Sequence, residues 1–255
     1  MRDVQNDLDF RKIEINKVGV KNLKYPIVLQ DKENDEQHTI ALINMYVNLP
    51  HHFRGTHMSR FIEILNKYRR EIDIHNMGEI MKEMKTNLEA EAAHLEIEFP
   101  YFIEKQAPVS GAKSLMEYQC KFTGMLNDKM KILLGVSIPI LTVCPCSKEI
   151  SEHGAHNQRG TINVQLQFKG FIWIEDIIQM VENCASGSVF SLLKREDEKF
   201  VTEKSYENPK FVEDVVRDVA TKLNVQENIL WYKVEVESFE SIHNHDAYAC
   251  VEKRC

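Results

Sequence analysis

Two cysteines and a histidine stand close together in one short segment of the chain. Cys144 and Cys146 are one residue apart, and His156 follows ten residues after the second, in a Gly-Ala-His-Asn stretch that predicts a turn. A thiolate is a soft, charged ligand for Zn²⁺ and similar metals, and a neutral imidazole adds a nitrogen donor. Free cysteines often only pack in the core, so the nearby histidine is what favours metal binding. We therefore expect Cys144 and His156 to lie together in one loop.

The cysteine pattern favours a catalytic metal over a structural one. The two cysteines have no second Cys-x-x-Cys pair, so a closed four-thiolate site is not expected and one coordination position stays open for water. A bound metal can lower the pKa of water to about 7, which supplies hydroxide at neutral pH. Cys146 is then left for another task, such as proton transfer or contact with the reacting group.

Further candidates lie near the C-terminus. His243 and His245, followed by Asp246, fall between two predicted strands, where an imidazole can act as a general acid or base or can simply be an exposed loop residue. The spacing does not choose between the two histidines. Glu213 lies on a predicted helix, about a third of a turn from the centre of its apolar stripe, and can point sideways toward a cleft or a neighbouring unit.

Composition limits the classes of protein. The chain has 255 residues, 43% of them hydrophobic, enough for one large domain or two of about 125 residues. Its net charge of −7 argues against a nucleic-acid-binding protein but allows a small anionic ligand. The polar N-terminus and an apolar stretch interrupted by Gly135, Ser137 and Pro139 predict a cytoplasmic protein without a membrane segment. The six cysteines are neither dense nor regularly spaced, so we do not expect a disulfide framework in a reducing compartment.

Hydrophobic periodicity predicts the elements that must position these residues. Helical spacing predicts helices over 58–68, 77–88 and 173–181, and a helix that has Pro209 as its first residue. Alternating or continuous apolar runs predict strands. The predicted strands are 40–50, 95–102, 118–126, 132–143, 162–168, 232–238 and 247–251. The charged stretch 192–218 outside the last helix is interpreted as solvated surface.

The two halves of the chain follow the same order of elements. Each reads strand, strand, helix, helix, strand, strand, which predicts an α+β fold in which two helices pack on one face of an antiparallel four-stranded sheet. We place the boundary near Asn127, with one unit over residues 1–127 and a second over 128–255. The second unit contains most of the candidate metal and catalytic residues.

Five separate motifs together resemble one enzyme family. They are GVKNLKYPI at 19–27, RGTHMSRF at 54–61, APVSG at 107–111, CPCSKEIS at 144–151 with GAHNQRG at 154–160, and YENPKFVEDVVRD at 206–218. Several motifs in the same order are far more specific than any one of them. The chain resembles the type IB GTP cyclohydrolase family over nearly its whole length.

This resemblance implies a fold, an assembly and a reaction. The family's fold is two tandem tunnelling-fold units, and its chains assemble into a homotetramer with active sites at interfaces between units and subunits. Its members convert GTP and water to 7,8-dihydroneopterin triphosphate and formate. That reaction is the entry step of folate synthesis and of some modified tRNA bases.

The resemblance also implies roles for individual residues. Cys144, His156 and Glu198 would hold one divalent metal per active site, either Zn²⁺, Mn²⁺ or Fe²⁺, since this donor set suits all three. Glu213 would anchor the guanine edge, because a carboxylate accepts from two adjacent N–H groups. His243 and Cys146 would assist proton transfers. Cations for the triphosphate lie in or near the matched motifs: Arg54, Arg60, Lys148, Arg159, Lys194 and Arg195.

Two other classes stay open at the level of sequence. A tunnelling-fold relative could use Cys146 as a covalent nucleophile without a metal. A non-catalytic binding module would instead use the metal to hold its fold. A variant of the cyclohydrolase reaction with a cyclic phosphate product is also compatible with the residues.

Overall fold

The computed structural model describes residue 5, residues 7–68 and residues 72–255, and within these it has nine strands and six helices. The strands are β1 (Ile15–Asp31), β2 (Asp35–Leu49), β3 (Ala93–Gln106), β4 (Lys113–Leu126), β5 (Met130–Val143), β6 (Asn157–Phe168), β7 (Gly187–Ser188), β8 (Ile229–Ser238) and β9 (Ala247–Arg254). The helices are α1 (Met58–Lys67), α2 (Met77–Asn87), α3 (Pro145–Ile150), α4 (Ile174–Glu182), α5 (Arg195–Glu207) and α6 (Val212–Asn224).

The strands pair in the order β1-β2-β3-β4-β5-β6-β8-β9, and the short strand β7 pairs with β5. The β1/β2, β2/β3, β6/β8 and β8/β9 pairs are antiparallel. In β6, Ile162 and Val164 are buried while Asn163 and Gln165 are partly exposed, because successive side chains of a strand point to opposite faces. The predicted α+β class is confirmed, and the strands form one nine-stranded sheet. The arrangement as two tandem units, each with a four-stranded sheet, stays a prediction.

Two compact units divide the described chain. One consists of the described residues of Met1–Pro100 with Lys121–Leu134, and the other of Tyr101–Cys120 with Gly135–Cys255. In the first, α1 and α2 bury the apolar stripes that their spacing predicts, including Phe61 and Met81. In the second, α4 and α6 do the same, for example with Ile178 and Val219.

The order of elements also repeats along the chain. The first half runs β1, β2, α1, α2, β3, β4, and the second half runs β5, β6, α4, α6, β8, β9 with α3, β7 and α5 added. The turn between β4 and β5 covers residues 127–129. The division into one unit over 1–127 and a second over 128–255 stays a prediction.

Helix α6 begins at Val212, so the prediction that Pro209 is its first residue is wrong. The backbone N–H of Lys210 donates to the carbonyl of Val143 at 3.1 Å, which holds the preceding segment against the end of β5. Phe211 is the N-cap, and its own N–H donates to Asp214 Oδ2 at 3.1 Å. Tertiary contact therefore sets the start of this helix, three residues after the proline.

Sequence periodicity does not predict helices α3 and α5. Helix α5 has no apolar stripe, since Asp197 and Ser205 are its buried residues. The segment interpreted as solvated surface is therefore a helix with a mostly exposed, charged surface. Helix α3 has only six residues, with Pro145 in its first turn and no buried residue. Helix α3 lies in the segment that the sequence predicts as a loop, and helix α5 lies in the segment interpreted as solvated surface.

Gly160 allows β6 to approach β8 closely. A Cβ atom at this position would lie 2.5 Å from the Glu237 carbonyl oxygen, closer than non-bonded atoms tolerate. Gly160→Ala should therefore lower the free energy of unfolding by about 1–3 kcal/mol, as overpacking does, measured by urea denaturation. Gly55→Ala is the control, because the nearest atom to its Cβ would be Gln5 Cγ at 3.5 Å. Equal urea denaturation midpoints for the two variants would contradict the close approach of β6 to β8 at Gly160.

Candidate functional site

Cys144 lies where β5 ends and α3 begins. It is the N-cap of α3, and its Sγ accepts a hydrogen bond from the Ser147 backbone N–H at 3.4 Å. Pro145 takes the first helical position, where a missing N–H costs nothing and the fixed φ suits the helix. Cys146 is exposed, while Cys144 is half-buried. The Cys-Pro-Cys sequence thus forms a tight helical turn that presents one sulfur inward and one outward.

Backbone hydrogen bonds bring His156 next to this turn. The Cys144 N–H donates to the His156 carbonyl at 3.2 Å, and the His156 N–H donates to Ser147 Oγ at 3.2 Å. His156 directly precedes β6, so its position is set where the strand begins. The structure therefore joins the two residues that the sequence singles out, although the segment between them is part helix and not a single loop.

A polar network lies behind His156. The ring Nδ1 is 2.8 Å from Gln158 Oε1 and 3.8 Å from Glu240 Oε2. Gln158 Nε2 lies 3.1 Å from both Thr142 Oγ1 and Ser238 Oγ and 3.3 Å from Glu240 Oε1, and its two hydrogens are shared among these three oxygens. These hydrogen bonds join the ends of β5, β6 and β8 to the segment that follows β8.

Both C-terminal histidines lie beside this group. The His243 ring is 6.4 Å from the His156 ring, centroid to centroid, and stacks on the His245 ring at 5.1 Å. Both of these histidines are exposed, whereas the His156 side chain is only 12% exposed. The geometry thus places His243, rather than His245, as the neighbour of His156.

A cavity of about 210 Å³ opens next to Cys144. Its lining includes Thr142, Cys144, Gln158, Lys210, Glu213 and Glu240. Glu213 is exposed on the first turn of α6 and lines the same cavity as the Cys144 turn. Cys144, Lys210, Glu213 and Glu240 therefore border one small space. The sideways orientation of Glu213 stays a prediction.

Glu198 lies exposed on the first turn of α5, next to a firmly anchored neighbour. The buried carboxylate of Asp197 accepts hydrogen bonds from the Ser110 hydroxyl at 2.6 Å, from the Ser110 and Val109 N–H groups at 2.8 Å, and from the Lys194 N–H at 2.9 Å. Burial raises the pKa of Asp197, but these hydrogen bonds outweigh it and hold the pKa well below its usual value. The anchor fixes the start of α5 against the APVSG loop.

The predicted metal ligands are not all grouped within the chain. Among residues 5, 7–68 and 72–255, no set of three or more His, Cys, Asp or Glu side chains is arranged to hold a metal ion. Cys144 and His156 are tied together by their backbones, and Glu198 lies apart from them in sequence on α5. The roles of all three as metal ligands stay predictions.

Of the six predicted triphosphate cations, two belong to the first unit. Arg60 Nη1 donates to the Asn87 carbonyl at 2.7 Å, and Arg54 Nη1 lies 3.6 Å from Asp7 Oδ2. Both guanidinium groups thus have partners within the chain.

The other four cations belong to the second unit. Lys148 Nζ donates to the Tyr206 carbonyl at 2.6 Å and lies 4.4 Å from the centre of the Tyr206 ring. This contact ties α3 to the C-terminal end of α5. Arg159 is exposed on β6, and Lys194 and Arg195 are exposed where α5 begins.

Sequence reasoning missed three residues of this region. Gln158 and Lys210 fall inside matched motifs, which is a signal that could have found them, whereas Glu240 has none. Lys210 lines the cavity, and its Nζ donates to the Cys184 carbonyl at 2.9 Å and pairs with Asp218 at 2.7 Å. Periodicity could not reveal these three residues because contacts between segments distant in sequence, and not apolar spacing, bring them together.

The fold is shared with uricases of solved structure. A uricase from Bacillus fastidious superimposes with a TM-score of 0.57 at 8% identity, covering 96% of this chain and 94% of that one. A uricase from Arthrobacter globiformis gives a TM-score of 0.54 at 6% identity, covering 93% and 92%. The chain therefore has a tunnelling fold, as the sequence resemblance implies.

Sequence comparison defines the family. Residues 1–249 match the model of the type I GTP cyclohydrolase folE2 family. The protein named GTP cyclohydrolase FolE2 from Syntrophus aciditrophicus (strain SB) is 62% identical over 254 residues, covering 99% of this chain and 100% of that protein. One of the same name from Geobacter sulfurreducens (strain ATCC 51573 / DSM 12127 / PCA) is 59% identical, covering 99% and 98%. This chain belongs to the FolE2 family of type I GTP cyclohydrolases, and the prediction of an enzyme that acts on GTP is confirmed.

No helix among the described residues is long and apolar enough to span a membrane.

The Asp197 anchor predicts a specific dependence of stability on pH. Because the folded pKa lies below the unfolded value of about 3.9, ionised Asp197 stabilises the fold above that pH, and the stabilisation is lost as pH falls through the folded pKa. Asp197→Asn should therefore lower the unfolding temperature at pH 7, and its gap from wild type should narrow below about pH 4.

Thermal unfolding between pH 7 and pH 3 measures this gap. Glu196→Gln removes one exposed negative charge from the same first turn of α5 and serves as the control for the helix dipole. An Asp197→Asn gap that stays constant with pH, or that the control reproduces, would argue against the anchor.

Proposed function

We propose that this protein converts GTP and water to 7,8-dihydroneopterin triphosphate and formate with the help of one divalent metal ion. The supporting observation is that Cys144 and His156 are joined by a backbone hydrogen bond of 3.2 Å, beside a cavity whose lining also contains Glu213. A candidate pair of metal donors and a candidate guanine anchor thus border one space. The reaction is the first step of folate biosynthesis.

Cys144, His156 and Glu198 would hold the metal. A thiolate sulfur, an imidazole nitrogen and a carboxylate oxygen form a donor set that suits Zn²⁺, Mn²⁺ and Fe²⁺. When bound, such an ion lowers the pKa of a coordinated water and supplies a nucleophile at neutral pH. The Ser147 N–H donates to Cys144 Sγ at 3.4 Å, and this contact supports the role of Cys144 because it holds the sulfur in one orientation.

Glu213 would bind the guanine ring. Its two carboxylate oxygens can accept from two adjacent N–H groups of the base, which fixes the plane and the distance of the imidazole ring from the metal site. Its place on the first turn of α6 supports this role, because a helical position is rigid. Arg54, Arg60, Lys148, Arg159, Lys194 and Arg195 are the proposed cations for the triphosphate.

His243 and Cys146 would move protons. His243 lies 6.4 Å from His156, ring to ring, and is exposed, so it can reach a ring atom of a bound base. Cys146 is exposed on α3, two residues beyond Cys144. Opening of the guanine imidazole ring requires a proton for the departing nitrogen, which a positioned acid supplies.

The same proposal includes the setting of the enzyme. We propose a cytoplasmic homotetramer of tandem tunnelling-fold units with active sites at the interfaces. A molecular mass of four chains for the purified protein, measured by sedimentation or light scattering, would support this assembly.

Removal of either proposed metal donor tests the mechanism. Cys144→Ala and His156→Ala should each lower formate release from GTP by at least about 100-fold, since loss of outer-shell partners alone costs 10–100-fold in metal sites. Formate and the fluorescent oxidised pterin are measured with defined metals, with circular dichroism to confirm folding.

Wild-type protein stripped of metal should be inactive but folded. Turnover that persists in a strong chelator, with a covalent adduct on Cys146, would refute the metal mechanism and favour the cysteine nucleophile. Unfolding on metal removal would favour a metal-stabilised binding module.

Glu213→Gln tests the guanine anchor. Loss of one charged acceptor should lower kcat/KM for GTP by about 10–100-fold, because hydrogen bonds to charged groups contribute about 1.5–3 kcal/mol. The preference for GTP over inosine triphosphate, which lacks the 2-amino group, should shrink. Glu227→Gln, an exposed carboxylate beyond the end of α6, is the control. An unchanged preference in Glu213→Gln would exclude this role.

A further inference from the structure

We propose that Gln158 is a positioning residue that holds His156 with a proton on Nδ1 and leaves Nε2 as the free donor for a divalent metal. Gln158 itself does not bind the metal or the substrate; it acts through the imidazole. The inference rests on the proposed function, because it concerns the donor atom that His156 offers. Its physical basis is a chain of three groups: the carboxylate of Glu240, the amide of Gln158 and the ring of His156.

Glu240 determines which way the Gln158 amide points. Glu240 Oε1 lies 3.3 Å from Gln158 Nε2, and a carboxylate only accepts hydrogen bonds. With the amide flipped, two oxygen acceptors would face each other at this distance without a proton between them. The Ser241 hydroxyl lies 3.3 Å from Gln158 Oε1, and because a hydroxyl can donate or accept, this contact fits the orientation that Glu240 sets. The amide oxygen is therefore the atom that faces the histidine.

The amide oxygen in turn determines the histidine tautomer. Gln158 Oε1 lies 2.8 Å from His156 Nδ1, and an amide oxygen only accepts, so Nδ1 carries the proton. In a neutral imidazole the other nitrogen, Nε2, then has the free electron pair. Histidines that bind metals commonly donate their second ring N–H to a partner of this kind, which fixes both tautomer and ring orientation.

The network is buried and rests on three strands. Gln158 is 8% exposed, and Thr142 and Ser238 are each 2% exposed. Thr142 lies on β5, Gln158 on β6 and Ser238 on β8, so the amide is held by strands and not by loops. A group with this many fixed partners cannot rotate without leaving a buried polar atom unsatisfied. The orientation is therefore set before any ligand arrives.

Cobalt binding measures the positioning role without relying on turnover. The metal-free protein is titrated with Co²⁺ at one neutral pH, and the thiolate-to-cobalt absorption reports binding. Gln158→Leu removes the acceptor at similar volume and should weaken Co²⁺ affinity by about 10–100-fold. Gln165→Leu, on the same strand outside the network, should bind like wild type. Wild-type affinity in Gln158→Leu, or an equal loss in Gln165→Leu, overturns the proposal.

A double-mutant cycle separates positioning from a general structural effect. Glu240→Gln frees the Gln158 amide to flip and should weaken Co²⁺ binding severalfold, but should add little in the Gln158→Leu background, because both changes act through one tautomer. Fully additive losses would contradict the chain of three groups. If Gln158→Leu does not fold, the single variant Glu240→Gln still tests the proposal, because Glu240 lies beyond β8 and is only partly buried.

The exchange variant Gln158→Glu/Glu240→Gln is the sharpest arm. Gln158→Glu alone keeps an acceptor toward His156 but sets two carboxylates against each other at positions 158 and 240, so it should weaken Co²⁺ binding. Glu240→Gln supplies a donor at position 240 and should recover most of that loss. Lack of recovery counts against the proposal. Wild-type protein that binds Co²⁺ but forms no formate from GTP, with the variants ranked as expected, would refute the proposed function alone. Wild-type protein that binds no Co²⁺ refutes both.

Discussion

The hydrogen bond from the Cys144 N–H to the His156 carbonyl is the contact on which the site depends. It closes the Cys-Pro-Cys turn onto the residue that precedes β6, and Ser147 strengthens the closure by donating to Cys144 Sγ and accepting from the His156 N–H. Backbone hydrogen bonds thereby hold the residues that carry the sulfur and the imidazole next to each other. Bringing these two groups to one ligand therefore costs less conformational entropy than it would from two independent loops. The remaining groups of the site are arranged around this pair.

The same strands that form the core also bring the polar groups together. Thr142, Gln158 and Ser238 occupy the ends of β5, β6 and β8, so strand pairing places an amide and two hydroxyls within hydrogen-bonding distance. Lys210 follows the same logic, since its backbone is bonded to Val143 at the end of β5. Lys210 and Glu213 both line the cavity of this acidic chain. The amide and the two hydroxyls of the candidate site thus lie on paired strands.

The places where sequence reasoning failed have a common cause. Periodicity did not predict helix α5 because the helix has no apolar stripe. The buried Asp197 carboxylate fixes its first turn by three hydrogen bonds from the distant residues Val109 and Ser110 and one from Lys194. The prediction that the last helix begins at Pro209 was wrong because the Lys210 N–H is hydrogen-bonded to the Val143 carbonyl of β5, and the helix begins only at Val212. Periodicity reports the burial of apolar side chains, whereas the presence of α5 and the start of α6 are both set by hydrogen bonds.

The amino-acid sequence by itself determined the α+β class, the helices with apolar stripes, the alternating strand β6, and the family, because periodicity and motifs are local properties of the chain. It also singled out Cys144, His156 and Glu213. Only the tertiary structure decided that Gln158, Glu240 and Lys210 belong beside them and that His243, rather than His245, is the neighbour of His156. Those choices depend on the register of paired strands and on hydrogen-bond direction, which residues far apart in sequence acquire only when the sheet has formed.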